Sequence, residues 1–483
     1  MSKKIIYLLS LLMALSLVFA SCKKNSVTDA LGGFTPDKVP EINNTDNTGS
    51  DGLFTNYTDL THTEPIAKKE ITRGNGTDYV RNPVVVNLGK GNLVVFAEFR
   101  YKRPGAANDV GIDGAGVVDI VYYTSKDSGK NWVTREKYVN QGGMQTTTVD
   151  ASHGAPVVFY KSGNGSDGKI VVVATSGTGI GRDDTPVDQR GPSKVDYIVG
   201  TVKVSSGSDP VITWSDGWKE ITGIKDKLVG TKFATAQISP TQYATHSARG
   251  VVGTDSKLYL PVTIAYQGTS DNWNNTYELM GHVLVVGNSI DNLTQWDVTG
   301  DTVVYPDNGK FTQYKEARAT SKEKYIVVPS PSYGHSIMGK GQLGNGSASD
   351  NGVTASEGSA GYVLVPKWFG GSDYKIDNSS GSITISKVSQ DPEENKVGIL
   401  THVQQQDKNM HMYVVNADGE SKKNNGSYKI VDNGKSSSID VLEDGTIITA
   451  AEEGLAGANR NYYIVFSRYS QKFINDQTTI AGN

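Results

Sequence analysis

The sequence predicts an all-β protein with the architecture of a β-propeller. Short runs rich in β-branched and aromatic residues recur from about residue 80 onwards, and clusters of Gly, Asn, Asp and Ser separate them. The chain has 54 glycines and 16 prolines, which favours many tight turns over a disordered, proline-rich chain. Such short strands are typical of a sandwich, a barrel or a propeller, and a turn motif described below favours the propeller.

An export signal occupies residues 1–22. A basic pair begins the segment, a nearly unbroken apolar run follows over residues 5–19, and two small residues precede Cys22. This single cysteine stands where a bacterial lipobox places its acylated residue. We therefore expect an exported protein that is lipid-anchored to the cell envelope, at the outer membrane or the cell surface. The alternative is ordinary signal-peptidase cleavage beside an incidental cysteine.

The remainder of the chain divides into a tether and the propeller. Residues 23–65 are polar, rich in Asn, Thr, Asp and Gly, and without clear periodicity, which predicts a flexible tether. The propeller is predicted over residues 66–483, with a long Gly- and Ser-rich surface loop at about 339–371. The formal net charge of −4 argues against a nucleic-acid partner, which would require a basic face.

Thirteen runs of the predicted propeller have strand character, because β-branched and aromatic residues are frequent in them and turn residues bound them. These runs are residues 84–87, 93–99, 118–124, 170–175, 197–204, 258–264, 282–286, 325–328, 398–403, 411–415, 439–442, 446–450 and 462–467.

The segment S-K-D-S-G-K-N-W at residues 125–132 matches the Asp-box pattern S-x-D-x-G-x-x-W and follows a predicted strand. In such a turn the Asp127 side chain caps backbone amides, Gly129 takes the strained turn position, and Trp132 packs back between strands. The motif therefore has a structural role. Residues 206–214 form a poorer second candidate.

Around this motif, residues 80–473 resemble the catalytic domain of the sialidase superfamily, in particular bacterial and trypanosomal sialidases and trans-sialidases. V-R-N-P at 80–83 resembles the family's F-R-I-P, and L-V-V-F-A-E-F-R-Y at 93–101 resembles L-L-A-F-A-E-x-R-Y. L-E-D-G-T-I-I-T-A-A-E at 442–452 resembles the last catalytic blade. The resemblance implies a six-bladed β-propeller with a site at one end of its central channel.

The resemblance also implies an exo-α-sialidase site for terminal sialic acid, which carries a carboxylate at its anomeric carbon. Arginine forks bind that carboxylate, whereas a carboxylate nucleophile would be repelled, so the family uses a tyrosine as the nucleophile. Arg81 resembles the first arginine of the carboxylate-binding triad, and Arg100 resembles a substrate-contacting arginine. Glu452 resembles the glutamate that orients the first arginine.

Two catalytic residues are implied by the same resemblance. Asp109 lies in the segment after Arg100 and matches the acid/base aspartate, with Asp113 as its competitor. Glu316 matches the glutamate that activates the family's tyrosine nucleophile. Both assignments rest on the alignment to the family and not on the local composition.

Three positions depart from the family pattern. The tyrosine position falls on Ser436, and the second triad arginine falls near Pro331. The third arginine is absent from its expected place, where Lys408 offers a charge without a planar fork. Tyr428 and Arg318 are the nearest substitutes if the alignment slips by a few residues.

We therefore predict a surface lipoprotein that acts on or binds terminal sialic acid of glycans, with a degenerate exo-α-sialidase site. Two alternatives are a catalytically inactive sialoglycan-binding protein and a propeller scaffold for protein partners. The predicted partners are sialylated glycans or glycoconjugates and the membrane, which the lipid anchor would contact. No cofactor is expected, and no metal either, because the histidines lack the spacing of metal ligands.

Overall fold

The computed structural model describes the strands of the predicted propeller and the segments adjoining them. Residues 1–66 lie outside the described part, and with them Cys22, the predicted export signal and the predicted tether. Among the described residues, no helix is long and apolar enough to cross a membrane. The described residues are 67–73, 78–101, 117–140, 153–163, 167–177, 193–224, 242–245, 247–252, 257–266, 279–298, 306–307, 310–311, 326–330, 334–338, 361–366, 374–377, 384–387, 396–403, 409–416, 426–434, 436–442, 446–454, 462–470, 473–474 and 477–478.

These residues form 29 strands. The first sixteen are β1 (Ala67–Arg73), β2 (Asp78–Gly89), β3 (Asn92–Tyr101), β4 (Val117–Ser125), β5 (Lys137–Tyr138), β6 (Gly154–Lys161), β7 (Gly168–Gly177), β8 (Ser193–Ser205), β9 (Ser208–Trp214), β10 (Lys219–Glu220), β11 (Gln242–Thr245), β12 (Ala248–Arg249), β13 (Val251–Val252), β14 (Leu258–Tyr266), β15 (Leu279–Ser289) and β16 (Asn292–Val298). The others are β17 (Pro306–Asp307), β18 (Lys310–Phe311), β19 (Ile326–Ser330), β20 (Gly334–Met338), β21 (Gly361–Pro366), β22 (Tyr374–Asp377), β23 (Thr384–Lys387), β24 (Lys396–Val403), β25 (Met410–Asn416), β26 (Tyr428–Val431), β27 (Ser437–Val441), β28 (Ile447–Gly454) and β29 (Tyr462–Tyr469).

Five sheets contain four or more strands, and we call each of them a blade. Their orders are β2-β3-β4-β5, β12-β6-β7-β8-β10 with β9 also on β8, β11-β14-β15-β16 with β13 on β14, β21-β24-β25-β26, and β27-β28-β29-β1. Strand pairing is antiparallel throughout these blades apart from the parallel pair β12 and β6. The other described strands form two-stranded ladders, so a count of six blades stays a prediction.

The two ends of the described chain meet in one blade. Strand β1 pairs with β29 in antiparallel register, from Ala67 opposite Arg468 to Arg73 opposite Tyr463. The first strand thus becomes the outer strand of the last blade. A ring of blades can close in this way, because the first strand of the chain completes the last blade by hydrogen bonding.

Apolar side chains pack on both faces of the blades. In β2, Val84 and Val86 share a buried cluster with Val172 of the second blade. Val85, between them, points the other way and packs in a cluster with Phe466 of the last blade. Successive strand residues face opposite sides of a sheet, so a blade between two neighbours needs an apolar run instead of alternation. This is why strands of this chain read as continuous apolar segments.

The Asp-box turn between β4 and β5 has the predicted geometry. Gly129 has φ of +83°. The Asp127 carboxylate accepts hydrogen bonds from the Asn131 backbone N–H at 2.8 Å and from the Asn131 side-chain amide at 2.7 Å. The Trp132 ring packs on Phe466 with 5.0 Å between ring centroids. The predicted role of each motif residue in this turn is confirmed.

A second turn of this kind, S-I-D-N-L-T-Q-W, starts at Ser289 between β15 and β16. The Trp296 indole N–H donates to the carbonyl of Leu293 at 2.9 Å, just as Trp132 donates to Gly129 at 3.2 Å. Leu293 replaces the glycine of the pattern, so pattern matching missed the turn. In both blades the turn joins the third strand to the fourth.

The prediction of a surface loop at 339–371 is wrong for part of this range. Residues 361–366, G-Y-V-L-V-P, form β21, which pairs with β24 from Gly361 opposite Thr401 to Pro366 opposite Lys396. The Gly and Ser content of the surrounding stretch concealed a short run of strand formers. Pairing with a neighbouring strand outweighed that composition.

Gly129→Ala should lower the free energy of unfolding by about 2–5 kcal/mol, because Ala disfavours a left-handed backbone and its Cβ would collide with the Phe466 ring. Gly207→Ala is the matched control, since Gly207 has φ of +70° and nothing within 4 Å of an added Cβ. It should cost about 1–2 kcal/mol from the backbone alone. Urea unfolding of both variants measures this, and equal losses would contradict the packing of Gly129 against the last blade.

Candidate functional site

Buried polar side chains gather at one end of three consecutive blades, and we call this the Arg81 end. Strand β2 has Arg81 near its start, and Glu452 lies near the end of β28. Strand β6 begins at this end, β29 begins here, and β3 terminates here. The two Asp-box turns lie at the opposite end of their blades. The alternating strand directions therefore bring residues from distant parts of the chain to one edge.

The centre of the Arg81 end is a buried ion pair. The Arg81 Nε lies 2.7 Å from Glu452 Oε1, and Nη2 lies 3.3 Å from Oε2. Their side chains are 3% and 0% exposed. The Tyr462 ring covers one face of the guanidinium, with 4.4 Å between the Arg81 Cζ and the ring centroid. The guanidinium is thus held by a carboxylate at one edge and an aromatic ring on one face.

Arg100 has its own carboxylate partner. Its Nε lies 2.6 Å from Glu98 Oε2, and Glu98 Oε1 accepts the Ala155 backbone N–H at 2.5 Å. Burial by itself raises the pKa of Glu98, but the Arg100 charge and hydrogen bonds from Ala155, Asn82 and Arg100 outweigh it, so the pKa lies below its usual value. Glu98 is therefore ionised at neutral pH and compensates the charge of Arg100.

Asn82 and Ser436 lie between these elements. The Asn82 backbone N–H donates to Glu452 Oε1 at 2.6 Å, and the Ser436 hydroxyl donates to Asn82 Oδ1 at 2.8 Å. The backbone N–H of Glu452 donates to the Ser436 carbonyl at 2.8 Å. Ser436 is thus in direct contact with the surroundings of Arg81, and it offers a short, buried hydroxyl.

A second polar group flanks the Arg81 end on the next blade. His153 Nε2 lies 2.9 Å from Asp196 Oδ2, which also accepts the Ser176 hydroxyl at 2.8 Å. The His153 ring stacks on Trp218 with 4.0 Å between centroids. Burial raises the pKa of the nearby Asp119 above its usual value, although the Tyr101 hydroxyl and His153 act in the opposite direction. Both hydrogen bonds given for Asp196 thus meet at one carboxylate oxygen, Oδ2.

A third network of polar contacts lies farther from the Arg81 end, between β2, β6, β12 and β27. Arg249 Nε lies 3.1 Å from Asp440 Oδ2, and the Asn87 backbone N–H donates to the same oxygen at 2.9 Å. Arg249 Nη1 also donates to the carbonyl of Val158 at 2.8 Å. The network links the first, second and last blades. Sequence reasoning missed Arg249 and Asp440 because neither residue belongs to a recognisable motif.

The predicted site residues fall into two groups. The structure brings Arg81 and Glu452 into direct contact, and it places Arg100 at the same end through Glu98 and Asn82. Asp109 and Glu316 lie outside the described residues, as do Asp113, Arg318, Pro331 and Lys408. The roles assigned to all of these residues stay predictions. Sequence reasoning missed Asn82, Glu98 and Tyr462, although the first two lie inside the motifs that carry the resemblance.

Tyr428, the substitute considered for the tyrosine, packs elsewhere in the described structure. Its ring contacts Phe473 at 4.9 Å and Tyr469 at 5.8 Å between centroids. Tyr469 is opposite Ile447, five residues along β28 from Glu452, which corresponds to roughly 17 Å of extended strand. Tyr428 therefore lies near the start of β28, at the end of the last blade that is opposite Arg81, whereas Tyr462 contacts Arg81 directly.

Comparison with known proteins shows a likeness at the level of the fold. No family model matches the sequence, and no curated protein matches it. A sialidase from Trypanosoma rangeli is 16% identical over 82% of this chain, with a TM-score of 0.53, and this chain spans 56% of that sialidase. A leech intramolecular trans-sialidase is 11% identical over 85% of this chain and 71% of its own, with a TM-score of 0.48. A protein of unknown function from Dyadobacter fermentans is 11% identical over 84% and 98%, with a TM-score of 0.45.

The likeness to the trypanosomal sialidase shows the fold, which is all-β and of the propeller type. At 16% identity it shows nothing about what this chain binds or catalyses. The predicted all-β propeller class is therefore confirmed, whereas the count of six blades and the sialidase type stay predictions. Any function has to be argued from the residues at the Arg81 end.

Glu452→Gln should lower the free energy of unfolding by about 3–5 kcal/mol, because it removes the buried carboxylate that pairs with the buried Arg81. The matched control is Glu453→Gln. Glu453 pairs with Lys68 at 3.2 Å, with side chains 23% and 47% exposed, and its loss should cost less than about 1 kcal/mol. Urea unfolding at neutral pH compares the two variants, and similar small losses would argue against a compensated buried charge at Arg81.

Proposed function

We propose that this protein binds terminal sialic acid of glycans at the Arg81 end and hydrolyses sialosides very slowly or not at all. We further propose that it is exported and anchored to the cell envelope through a lipid on Cys22. The observation that carries the binding proposal is the guanidinium of Arg81, fixed by Glu452 and Tyr462. The sequence resemblance to sialidases and the propeller fold support the same assignment.

A fixed guanidinium suits recognition of a planar carboxylate. Glu452 approaches Arg81 from the Nε and Nη2 side, so a sugar carboxylate would bind from the Nη1 side of the fork. Fork-to-fork binding places two parallel N–H donors on two oxygens and gives orientation as well as binding energy. Arg100 is the second described guanidinium at this end, and its side chain is 12% exposed.

The chemistry around Ser436 argues against efficient hydrolysis. The family resemblance places a tyrosine nucleophile at this position, and here a buried serine hydroxyl donates to Asn82. A serine side chain ends well short of the reach of a phenol, and in the described part of the chain the Ser436 hydroxyl donates to an amide oxygen instead of a carboxylate base. Removing the nucleophile of a covalent mechanism costs several orders of magnitude in rate. Binding would survive this change, because binding uses the arginines.

Arg81→Lys should weaken binding of sialyllactose by about tenfold or more, because lysine keeps the charge and loses the planar fork. Arg135→Lys, at an exposed position away from this site, is the control and should bind like the wild type. Titration calorimetry with sialyllactose and with lactose gives both affinities. Lactose should bind no better to the wild type than to the variant.

The same purified protein can be assayed for sialidase activity. An aryl sialoside should be turned over very slowly or not at all by the wild-type protein. Rapid turnover would overturn the inactive-binder proposal, and loss of that turnover in Tyr462→Phe would then identify the Tyr462 phenol as the nucleophile. No binding of sialyllactose and no turnover would instead favour a scaffold for protein partners.

Cys22→Ala should release the protein from the membrane fraction into the soluble fraction, because acyl chains on the cysteine would supply the anchoring free energy. Fractionation of cells expressing the full chain, with metabolic labelling by a fatty-acid analogue, measures both anchoring and acylation. The variant Ser21→Ala keeps the cysteine and a small residue before it, and it should remain labelled. Membrane association and labelling of Cys22→Ala equal to the wild type would exclude this anchor.

A further inference from the structure

Asn82 has an unusual backbone conformation at the Arg81 end. Its φ is +55°, in the left-handed region that residues other than glycine rarely adopt. The regular pairing of β2 with β3 is interrupted between Arg81 and Val84, so Asn82 lies in an irregularity of the strand. Backbone strain of this kind persists where surrounding contacts determine the conformation, and it concentrates at functional sites.

The contacts of Asn82 join both arginine–carboxylate pairs. Its backbone N–H donates to Glu452, the partner of Arg81, at 2.6 Å. Its Oδ1 accepts the Ser436 hydroxyl at 2.8 Å, which leaves the Nδ2 group as the side-chain donor. A hydrogen bond also joins the Asn82 side chain to the carboxylate of Glu98, the partner of Arg100. One residue thus contacts both carboxylates that orient the two guanidinium groups.

We propose that Asn82 is a positioning residue that couples the Arg81–Glu452 and Arg100–Glu98 pairs, so that both guanidinium groups keep the orientation needed for ligand binding. The part of this inference that concerns glycans rests on the proposed function. The coupling itself rests on the left-handed backbone, on the hydrogen bonds to Glu452 and Ser436, and on the register that places Glu98 opposite Arg81, next to Asn82. Asn82 acts through the carboxylates and is not assigned a contact with ligand.

The chemistry of the amide explains why asparagine suits this position. An amide accepts from Ser436 and donates to Glu98 at the same time while carrying no charge. Aspartate has the same shape and tolerates the left-handed conformation, but its ionised form cannot donate. The charged groups facing this position are Glu98, Glu452, Arg81 and Arg100, and the arginines are already matched by the two glutamates.

Asn82→Asp therefore gives a pH-dependent test. Near pH 7.5 the new carboxylate would repel Glu98 and Glu452, and the affinity for sialyllactose should fall about tenfold or more. Burial and the neighbouring carboxylates raise the pKa of the new group. As the pH falls towards about 5, protonation restores a donor, and the affinity should return towards that of the wild type at the same pH. A merely structural role would produce no such recovery.

Asn82→Gly gives the second test, because glycine keeps the backbone N–H and the positive φ but removes both side-chain hydrogen bonds. In protein labelled with ¹⁵N-arginine, the Nε–H signals of Arg81 and Arg100 should exchange with solvent about tenfold faster or more in this variant. Substitution of each arginine by lysine assigns the signals. Ser436→Ala removes one hydrogen bond of Asn82 and should accelerate the same exchange to a smaller extent.

Lys90 provides a control at the other end of the first blade. It is an exposed residue with φ of +55° in the turn between β2 and β3, nine residues along the chain from Arg81. Lys90→Asp and Lys90→Gly introduce a carboxylate and remove a side chain at a left-handed position outside the Arg81 end. Both variants should leave the affinity, its pH dependence and the two Nε–H signals unchanged.

The outcomes separate the two proposals. Unchanged Nε–H exchange in both Asn82→Gly and Ser436→Ala would overturn the coupling role, as would an affinity of Asn82→Asp that follows the wild-type pH profile. If the wild-type protein binds no sialyllactose, the proposed function fails. The Nε–H exchange then decides the role of Asn82 without any ligand.

Discussion

Arg81 and Glu452 form a buried ion pair between the inner strand of the first blade and a central strand of the last, and the Arg81 end depends on it. The two residues are 371 positions apart, and their side chains are almost fully buried. A guanidinium removed from water is destabilising unless a carboxylate compensates it with good geometry. The first and last blades are therefore joined in two ways. Strand β1 pairs with β29 in the last blade, and the Arg81–Glu452 ion pair requires both buried charges to meet between the two blades.

The same constraint shapes how this end can recognise a ligand. Arg81 and Arg100 each have a carboxylate partner, so these four groups together carry no net charge. A ligand carboxylate would gain from the orientation of the two forks more than from an excess of positive charge. Because the pKa of Glu98 lies below its usual value, the Arg100–Glu98 pair keeps its charge balance through neutral and mildly acidic pH. Under the proposed function, selectivity would depend on geometry, and Tyr462 and Asn82 contact the groups that set this geometry.

Much of the fold could be predicted from the sequence, because both faces of a propeller blade are buried and the strands become apolar runs. The runs at 93–99 and 118–124 lie inside β3 and β4, and the motif at 125–132 formed the expected turn. Prediction failed where composition and pairing disagreed. Strand β21 lies in a glycine-rich stretch, and the turn at Ser289 has leucine where the motif has glycine. Partner strands stabilised both elements without the expected local signal.

The sequence by itself determined the all-β propeller class and, through motifs resembling a known family, pointed to Arg81, Arg100 and Glu452. The tertiary structure alone decided which groups surround those residues. Tyr462 follows Glu452 by ten residues, yet it covers the guanidinium of a residue near the start of the chain. Local periodicity reports which face of a strand is buried, whereas contacts between blades depend on how the ring closes. For that reason, no pattern in the sequence showed Asn82 between the two carboxylates.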